Sequence, residues 1–285
     1  MTARNLDPDI AVQAGEAADD AGAGRRAARR SRTLSLASFA VMLLAWTALT
    51  GSGLWPPVVE SIFLPSPLAV WQAFVKLWNI GYQGRSLAHH ILISLMRFGI
   101  AFVFCIVVGV PVGLMMGMSA SVRALLDPPI ETTRPIPKLA LLPLFIIWFG
   151  IGELAKTIVI ITALFPLMSI SAMQAVRSVS LRKIQAAESL GASRWTIFRR
   201  VVLPASLPGI FTGIRVSVGI GVTMLVGAEM VATSDGIAWM ALSAADFIQT
   251  DIVLVGVLIM AAMGYSLDRI CRVIEARLVH WSGKD

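Results

Sequence analysis

The sequence predicts an all-α membrane protein of about six transmembrane helices, on three observations. Of its 285 residues, 56% are hydrophobic and only 14% are charged. An ordinary soluble domain has roughly 45–50% apolar and about 25% charged residues. The apolar residues also gather in long runs, and about 20 in succession cross a bilayer as a helix. Finally, the net charge of +7 comes from basic residues that sit between those runs. That placement fits orientation in a membrane and not nucleic-acid binding, which needs a basic face or stripe.

Residues 1–32 read as a disordered tail. Asp7, Asp9, Glu16, Asp19 and Asp20 precede Arg25, Arg26, Arg29, Arg30 and Arg32, with Ala and Gly between and few large apolar side chains. A transmembrane domain is expected over 33–278 and a short second tail over 279–285. The first span is Leu34–Leu54. It is read as an uncleaved helix because no small-residue cleavage site follows the apolar run. Leu64-Pro65-Ser66-Pro67 then opens an amphipathic helix with Leu68, Trp71, Phe74, Val75 and Trp78 at helical spacing. This helix is too short and polar to span and suits the interface.

The second span is Ile91–Met118. Gly109, Gly113 and Gly117 stand four apart on one face, which allows close approach of a neighbouring backbone. The third, Leu139–Ile151, is half a crossing long, and the prolines between Pro128 and Pro143 predict a bent segment covered by protein. The fourth is Ala155–Val176, the fifth Pro208–Val231 and the sixth Ile252–Ile270. In the fifth, Gly209, Gly213, Ser217 and Gly221 repeat the small-residue spacing. With the N-terminus in the cytoplasm, nineteen lysines and arginines fall in cytoplasmic pieces and three in outer ones. Both termini and the connection 177–204 are therefore expected on the cytoplasmic side.

That connection reads as helix, turn, helix. Lys183–Leu190 has good helix formers, Gly191 permits a left-handed stop, and Ser193 caps a second helix, Arg194–Leu203, which Pro204 is expected to end. Trp195, Phe198, Val201 and Val202 give the second helix an apolar stripe that needs a partner. Ala186, Ala187 and Gly191 make a small, close-packing surface.

This connection resembles the signature of the membrane subunits of binding-protein-dependent ABC importers. In that family Glu-Ala-Ala is followed at fixed spacing by Gly and then by Ile-x-Leu-Pro. Here the positions hold Gln185-Ala186-Ala187, Gly191, and Val201, Leu203 and Pro204, with Gln185 in place of the acidic residue and Val201 in place of Ile. Glu188 stands one turn from Gln185. The resemblance continues in LPSP at Leu64–Pro67, in Arg134–Lys156, in SLGASR at Ser189–Arg194, in Leu203–Arg215 and in Asp246–Val253. These match the branch that holds permeases for taurine, aliphatic sulfonates and nitrate, and Arg277–Gly283 with Trp281 is closest to the taurine permeases.

The resemblance implies a type I ABC importer permease fold. It also implies a homodimer with two ATPase subunits and a periplasmic solute-binding protein, in a bacterial inner membrane. The loop residues Gln185, Ala186, Ala187, Glu188, Gly191, Ala192, Ser193, Leu203 and Pro204 would couple to the ATPase subunit. The solute would be a small anion, with taurine or another sulfonate ahead of nitrate.

No Gly-x-x-x-x-Gly-Lys-Ser/Thr phosphate loop occurs, nor a recognised catalytic constellation. ATP and its Mg²⁺ are expected on the partner, with no cofactor here. Arg97, Arg215 and Glu229, near span ends, are the candidate functional ionisable residues. They could contact an anionic substrate or pair structurally. A secondary transporter would use such residues for ion coupling. The His89-His90 pair is a poor metal site, because adjacent helical residues point apart. Cys105 and Cys271 are read as unpaired.

Overall fold

A computed structural model describes residues 33–34, 36–51, 56–231 and 233–279, so the tail expected at 1–32 and, of the tail expected at 279–285, all but Val279 lie outside it. The chain divides into two compact units, 1–69 and 70–285. In the first, α1 (Leu36–Thr50) is a short apolar helix. It stops at Thr50, before Gly51 at φ of 71°, short of the expected Leu54, which itself lies outside the described residues. The Trp46 indole N–H donates to the Pro65 carbonyl at 3.1 Å.

Among the described residues four helical runs are long and apolar enough to cross a membrane: Leu87–Met118, Glu153–Arg177, Arg194–Glu229 and Thr250–Leu278. They correspond to the second, fourth, fifth and sixth expected spans. The first run comprises α3 (Leu87–Phe104), a π turn at Cys105–Gly109 and α4 (Val110–Met118). One apolar face points outward, Leu92, Met96, Ile100, Val103 and Val107 all being exposed, while His90, Ser94 and Arg97 are buried alongside Leu87, Phe98 and Ala101. In lipid that arrangement is the stable one, because polar side chains find partners only inside the bundle.

The central helix is α7 (Glu153–Arg177), flanked by α4 and by α10 (Leu203–Glu229). Both glycine stripes lie on it. A Cβ at Gly113 would collide with the Ser169 carbonyl oxygen and approach the Ala172 Cβ to 2.7 Å, and one at Gly117 would meet Val176 at 2.6 Å. On the other side a Cβ at Gly209 would stand 2.8 Å from the Ala175 Cβ, and one at Gly213 would run into Ser171. α7 answers Gly113, Gly209 and Gly213 with small side chains or bare backbone, and Gly117 with Val176. Ser169 also donates its hydroxyl to the Gly109 carbonyl at 3.0 Å, and Ser217 is fully buried.

α2 (Pro67–Ile80) is the expected amphipathic helix. Val70, Ala73 and Leu77 are buried, while Leu68, Trp71, Val75 and Trp78 are exposed. The bulky stripe faces outward, where tryptophan suits a headgroup layer.

The third expected span departs further. α5 (Ala120–Thr133) runs through Pro128 and Pro129, and the break comes only at Arg134–Pro137. A 3₁₀ turn (Lys138–Leu141) and α6 (Leu142–Phe149) follow. Thr132 donates its hydroxyl to the Pro128 and Pro129 carbonyls at 2.9 and 3.0 Å. The bend is therefore as expected, but its cover is not. Residues 131–137 are exposed, as are Ile147, Trp148 and Ile151. Among the described residues nothing packs over this face.

The connection between the last two long helices holds an element that was not expected, α11 (Ile237–Asp246), lying against α12 (Thr250–Leu278). Its buried residues Ile237, Ala238, Met240, Ala241 and Ala244 recur at helical spacing. The Ala241 Cβ lies 2.9 Å from where a Cβ on Gly256 would be.

The glycine contact is testable. Gly113→Ala should lower the stability of the detergent-solubilised protein by about 1–3 kcal/mol through overpacking. Gly99→Ala, with open space around it, should leave the thermal unfolding midpoint unchanged. Equal midpoints for the two variants would contradict the close approach of α4 to α7.

Candidate functional site

The connection after α7 folds as two short helices closed by a specific stop. α8 spans Leu181–Ser189, and Gly191 follows with φ of 75°. The Gly191 N–H donates to the Glu188 carbonyl at 2.9 Å and the Ala192 N–H to the Ala187 carbonyl at 3.1 Å. These two bonds form a Schellman motif, whose left-handed residue is strongly disfavoured with a β-branched side chain. Ser193 then caps α9 (Arg194–Ile197), its Oγ accepting from the Thr196 N–H at 3.3 Å.

Pro204 does not end the helix, contrary to expectation. α9 passes through a π turn at Phe198–Val202 straight into α10, giving one helical run of 36 residues. The Leu203 N–H reaches back five residues to the Phe198 carbonyl. A proline ring collides with the carbonyl four residues before it, and the wider turn relieves that collision. The same device recurs ahead of Pro111, where the Val110 N–H bonds to the Cys105 carbonyl.

The apolar stripe finds part of its partner within the chain. Val176, Val179, Ile197 and Val202 form a buried cluster, with Ile184, Ala187, Ala192, Phe198 and Val201 packed on it. Leu203 and Pro204 are half-buried at the root of α10. The apex stays open: Gln185, Ala186, Glu188, Gly191 and Ser193 are exposed, Leu190 is 88% exposed and Trp195 67%.

At the opposite end of the bundle lies a buried ion cluster. The Arg97 guanidinium donates to Glu229 at 2.9 Å, to the Asp235 carbonyl at 2.8 Å and to Thr233 at 3.3 Å. It also grips Glu153 through two nitrogens, Nη2 at 2.8 Å and Nε. Glu229 accepts from the Ser94 hydroxyl at 2.7 Å and from the Ala238 N–H at 3.0 Å. Lys156 pairs with Glu153 at 3.2 Å. Gly236, at φ of 119°, brings backbone up against the Glu229 carboxylate where a side chain would overlap it. Its N–H donates to His90 Nδ1 at 3.2 Å, and His89 pairs with Asp235 at 3.2 Å. The two histidines thus serve different partners. Among the described residues no three His, Cys, Asp or Glu are grouped to hold a metal, and both cysteines are free and buried.

Residues 109–280 match the family described as "Binding-protein-dependent transport system inner membrane component". The chain belongs to this family. It is 40% identical over 256 residues to the taurine transport system permease protein TauC of Escherichia coli K12, covering 90% of this chain and 92% of that one. It is 33% identical to a putative aliphatic sulfonates transport permease, SsuC of Bacillus subtilis 168, with 85% of each chain covered. It is 28% identical to the bicarbonate transport system permease CmpB of Synechococcus elongatus, over 83% of this chain and 85% of that one. A chain from inward-facing structures of the MetNI methionine ABC transporter superposes with a TM-score of 0.54 at 20% identity, covering 66% of this chain and 95% of that one. The fold is the ABC importer permease fold, and the reading as a secondary transporter falls.

In this permease Arg215 stands apart from Arg97 and Glu229. Fourteen positions of α10 separate Arg215 from Glu229, about 21 Å along a helix. Arg215 donates to Asp268 and to Glu275 on α12, both at 3.3 Å. The acidic partners of both arginines lie on other helices, and the sequence carries no periodic signal that links them. Glu153, Asp268 and Glu275 were not singled out for that reason. Only the Leu87–Met118 face offered a cue, because His90, Ser94 and Arg97 fall on one side of an otherwise apolar run.

Removing one partner of a buried pair leaves the other charge uncompensated. Glu229→Ala should therefore destabilise the permease by about 3–5 kcal/mol. Glu153 is half-exposed and its removal leaves Arg97 with Glu229 but the buried Lys156 without its carboxylate, so Glu153→Ala should cost less, about 1–3 kcal/mol. Chemical unfolding in detergent gives both values, and the reverse order would contradict the cluster as described.

Proposed function

We propose that this permease is the membrane path of an importer for a small sulfonate, taurine foremost, moving it from periplasm to cytoplasm. A separate subunit that binds ATP and Mg²⁺ docks on the α8–α9 connection and supplies the energy. The exposed apex of that connection carries this reading. Leu190 and Trp195 stand almost free on a loop whose core is otherwise complete, and large apolar side chains so placed mark a protein contact. Gln185, Ala186, Ala187, Glu188, Gly191, Ala192 and Ser193 form the contact surface, and Leu203 and Pro204 join it to α10. Small residues there let the partner approach the backbone. Two copies of the permease form the path, with two ATPase subunits and a periplasmic solute-binding protein. The open face of α6 is available to lipid or to the second copy.

Taurine is favoured over other sulfonates, nitrate and bicarbonate because the taurine relative is the most similar of the three relatives compared. Arg97 and Glu229 satisfy each other, so in this state their contribution to a solute path is indirect. Arg215, half-buried beside Asp268, is the one of the two arginines that a passing anion reaches more readily.

The excess of basic residues sets the orientation, with the α8–α9 connection and both termini in the cytoplasm. Single cysteines placed at Ser193 and Ala245, both exposed, distinguish the two sides. In intact spheroplasts an impermeant thiol reagent should label Ala245→Cys and leave Ser193→Cys untouched. The opposite pattern inverts the topology.

The coupling role is tested at Gly191. A Cβ there meets nothing within 4 Å, so Gly191→Ala carries only the left-handed backbone penalty of about 1–2 kcal/mol. Gly191→Val adds a branched side chain on the docking face. In vesicles holding the whole complex, Gly191→Val should lose at least about tenfold in taurine uptake, an order-of-magnitude expectation for 1.4 kcal/mol or more of disturbed docking. Wild-type uptake by a fully assembled Gly191→Val complex refutes the coupling assignment. Uptake of another sulfonate but not taurine refutes the solute alone.

A further inference from the structure

A cavity of about 570 Å³ opens where the helices meet the α8–α9 connection. Its apolar side is the buried cluster of that connection, Val176, Val179, Ile197 and Val202. Arg123, Arg177 and Arg194 also line it, with Glu188 as the one carboxylate among its lining residues. The three arginines come from separate elements. Arg177 is the last residue of α7, Arg123 lies in the first turn of α5 just after α4 ends, and Arg194 opens α9. Among the described residues none of the three has a carboxylate partner, whereas Arg97, Arg134, Arg215 and Arg272 all have one. A net positive cavity with unpaired guanidinium groups is a site for an oxyanion, which guanidinium forks bind bidentately.

We propose that this cavity binds the phosphate headgroup of an anionic phospholipid. Three features select a lipid over a soluble anion. The cavity lies at the ends of two apolar runs, Leu87–Met118 and Glu153–Arg177, and so at headgroup depth. Its wall sets Val176, Val179, Ile197 and Val202 beside the three arginines, a pairing that suits a charged headgroup joined to glycerol and acyl carbons. Leu181 lines the cavity and is 71% exposed, placing an apolar side chain beside the cations where an acyl chain would run. Basic residues bordering a membrane helix attract anionic headgroups as a general matter. Here they converge on one cavity.

A lipid held there would tie α5, α7 and α9 together. The site would then bear on the connection as a whole, since Ile197 and Val202 belong both to the cavity wall and to the run that continues into α10. This inference does not depend on which solute is carried.

The test uses the purified complex of the permease with its ATPase subunits, in nanodiscs of phosphatidylcholine with or without phosphatidylglycerol. Retained phosphatidylglycerol is counted by native mass spectrometry. Arg123→Gln, Arg177→Gln and Arg194→Gln are made singly and together. The control is Arg182→Gln/Arg199→Gln/Arg200→Gln, which removes the same charge from the same connection outside the cavity. The cavity triple should reduce phosphatidylglycerol retention about tenfold, each single variant partially, and the control little. Equal loss in the control overturns the site, because the effect is then one of general charge. Displacement of bound phosphatidylglycerol by inorganic phosphate at matched ionic strength also overturns it, in favour of a soluble anion. If the single variants keep the lipid but lose the ATPase subunit, the arginines are partner contacts and the proposal fails. Assembly is checked throughout by size-exclusion chromatography, and the single variants carry the result if the triple does not assemble.

Discussion

The close seating of α7 between α4 and α10 is the constraint on which the other features of the bundle depend. In lipid, apolar area gives no drive for helices to associate, so contact must come from close packing and polar bonds. Gly113 and Gly117 on one side and Gly209 and Gly213 on the other remove the side chains that would hold the helices apart. α7 contributes Ser169, Ser171, Ala172 and Ala175 at the same levels. The resulting approach is tight enough for the Ser169 hydroxyl to bond to the Gly109 backbone carbonyl. A helix held on both sides in this way is a fixed post, and it ends in Arg177, where the exposed connection starts.

The ends of the post are finished in different ways. At one end Glu153 and Lys156 of α7 join Arg97 and Glu229 in a cluster that leaves no donor of Arg97 free. Burying these charges is costly, and the geometry offsets the cost only because hydroxyls and backbone N–H groups complete the coordination. The loop after α10 is therefore not free to wander, since its Asp235 carbonyl and its Gly236 and Ala238 N–H groups are all used. At the other end the connection is closed by apolar packing and a Schellman stop, with no ion pair between α8 and α9 among the described residues. One end is thus pinned by directional bonds, and the other is packed on one side and bare on the other.

Much of this was legible in the chain. The glycine stripes were plain because four-residue spacing of small residues has one dominant use in a membrane helix. Gly191 and Ser193 were plain because a left-handed stop and a side-chain cap each demand particular residue types. What escaped the sequence depended on distant partners or on local geometry without a residue signature. The acidic partners of Arg97 and Arg215 lie between 53 and 132 positions away. α11 carries its buried residues at helical spacing, yet it is short and lies in what reads as a connection. For α2, the tryptophan stripe was legible and is exposed, while the smaller side that packs inward, Val70, Ala73 and Leu77, carries no comparable signal.

Pro204 shows how a residue rule gives way when the preceding turn supplies the missing space. Proline breaks an α-helix because its ring needs room and it has no N–H to give. A π turn just before it makes that room, and the helix continues. The 36 residues from Arg194 to Glu229 are then one body about 54 Å long, with the bare apex near its start and the buried ion cluster at its finish. Had Pro204 ended the helix, a push on the connection would have been absorbed at a joint. Because the run is unbroken, Trp195 and Glu229 belong to one helix, which Ser171 and Ala175 of α7 meet at Gly213 and Gly209. The far end of that helix is held by Arg97 and Ser94 through Glu229. The exposed connection and the buried ion cluster are therefore joined through α10 with no joint at Pro204 between them.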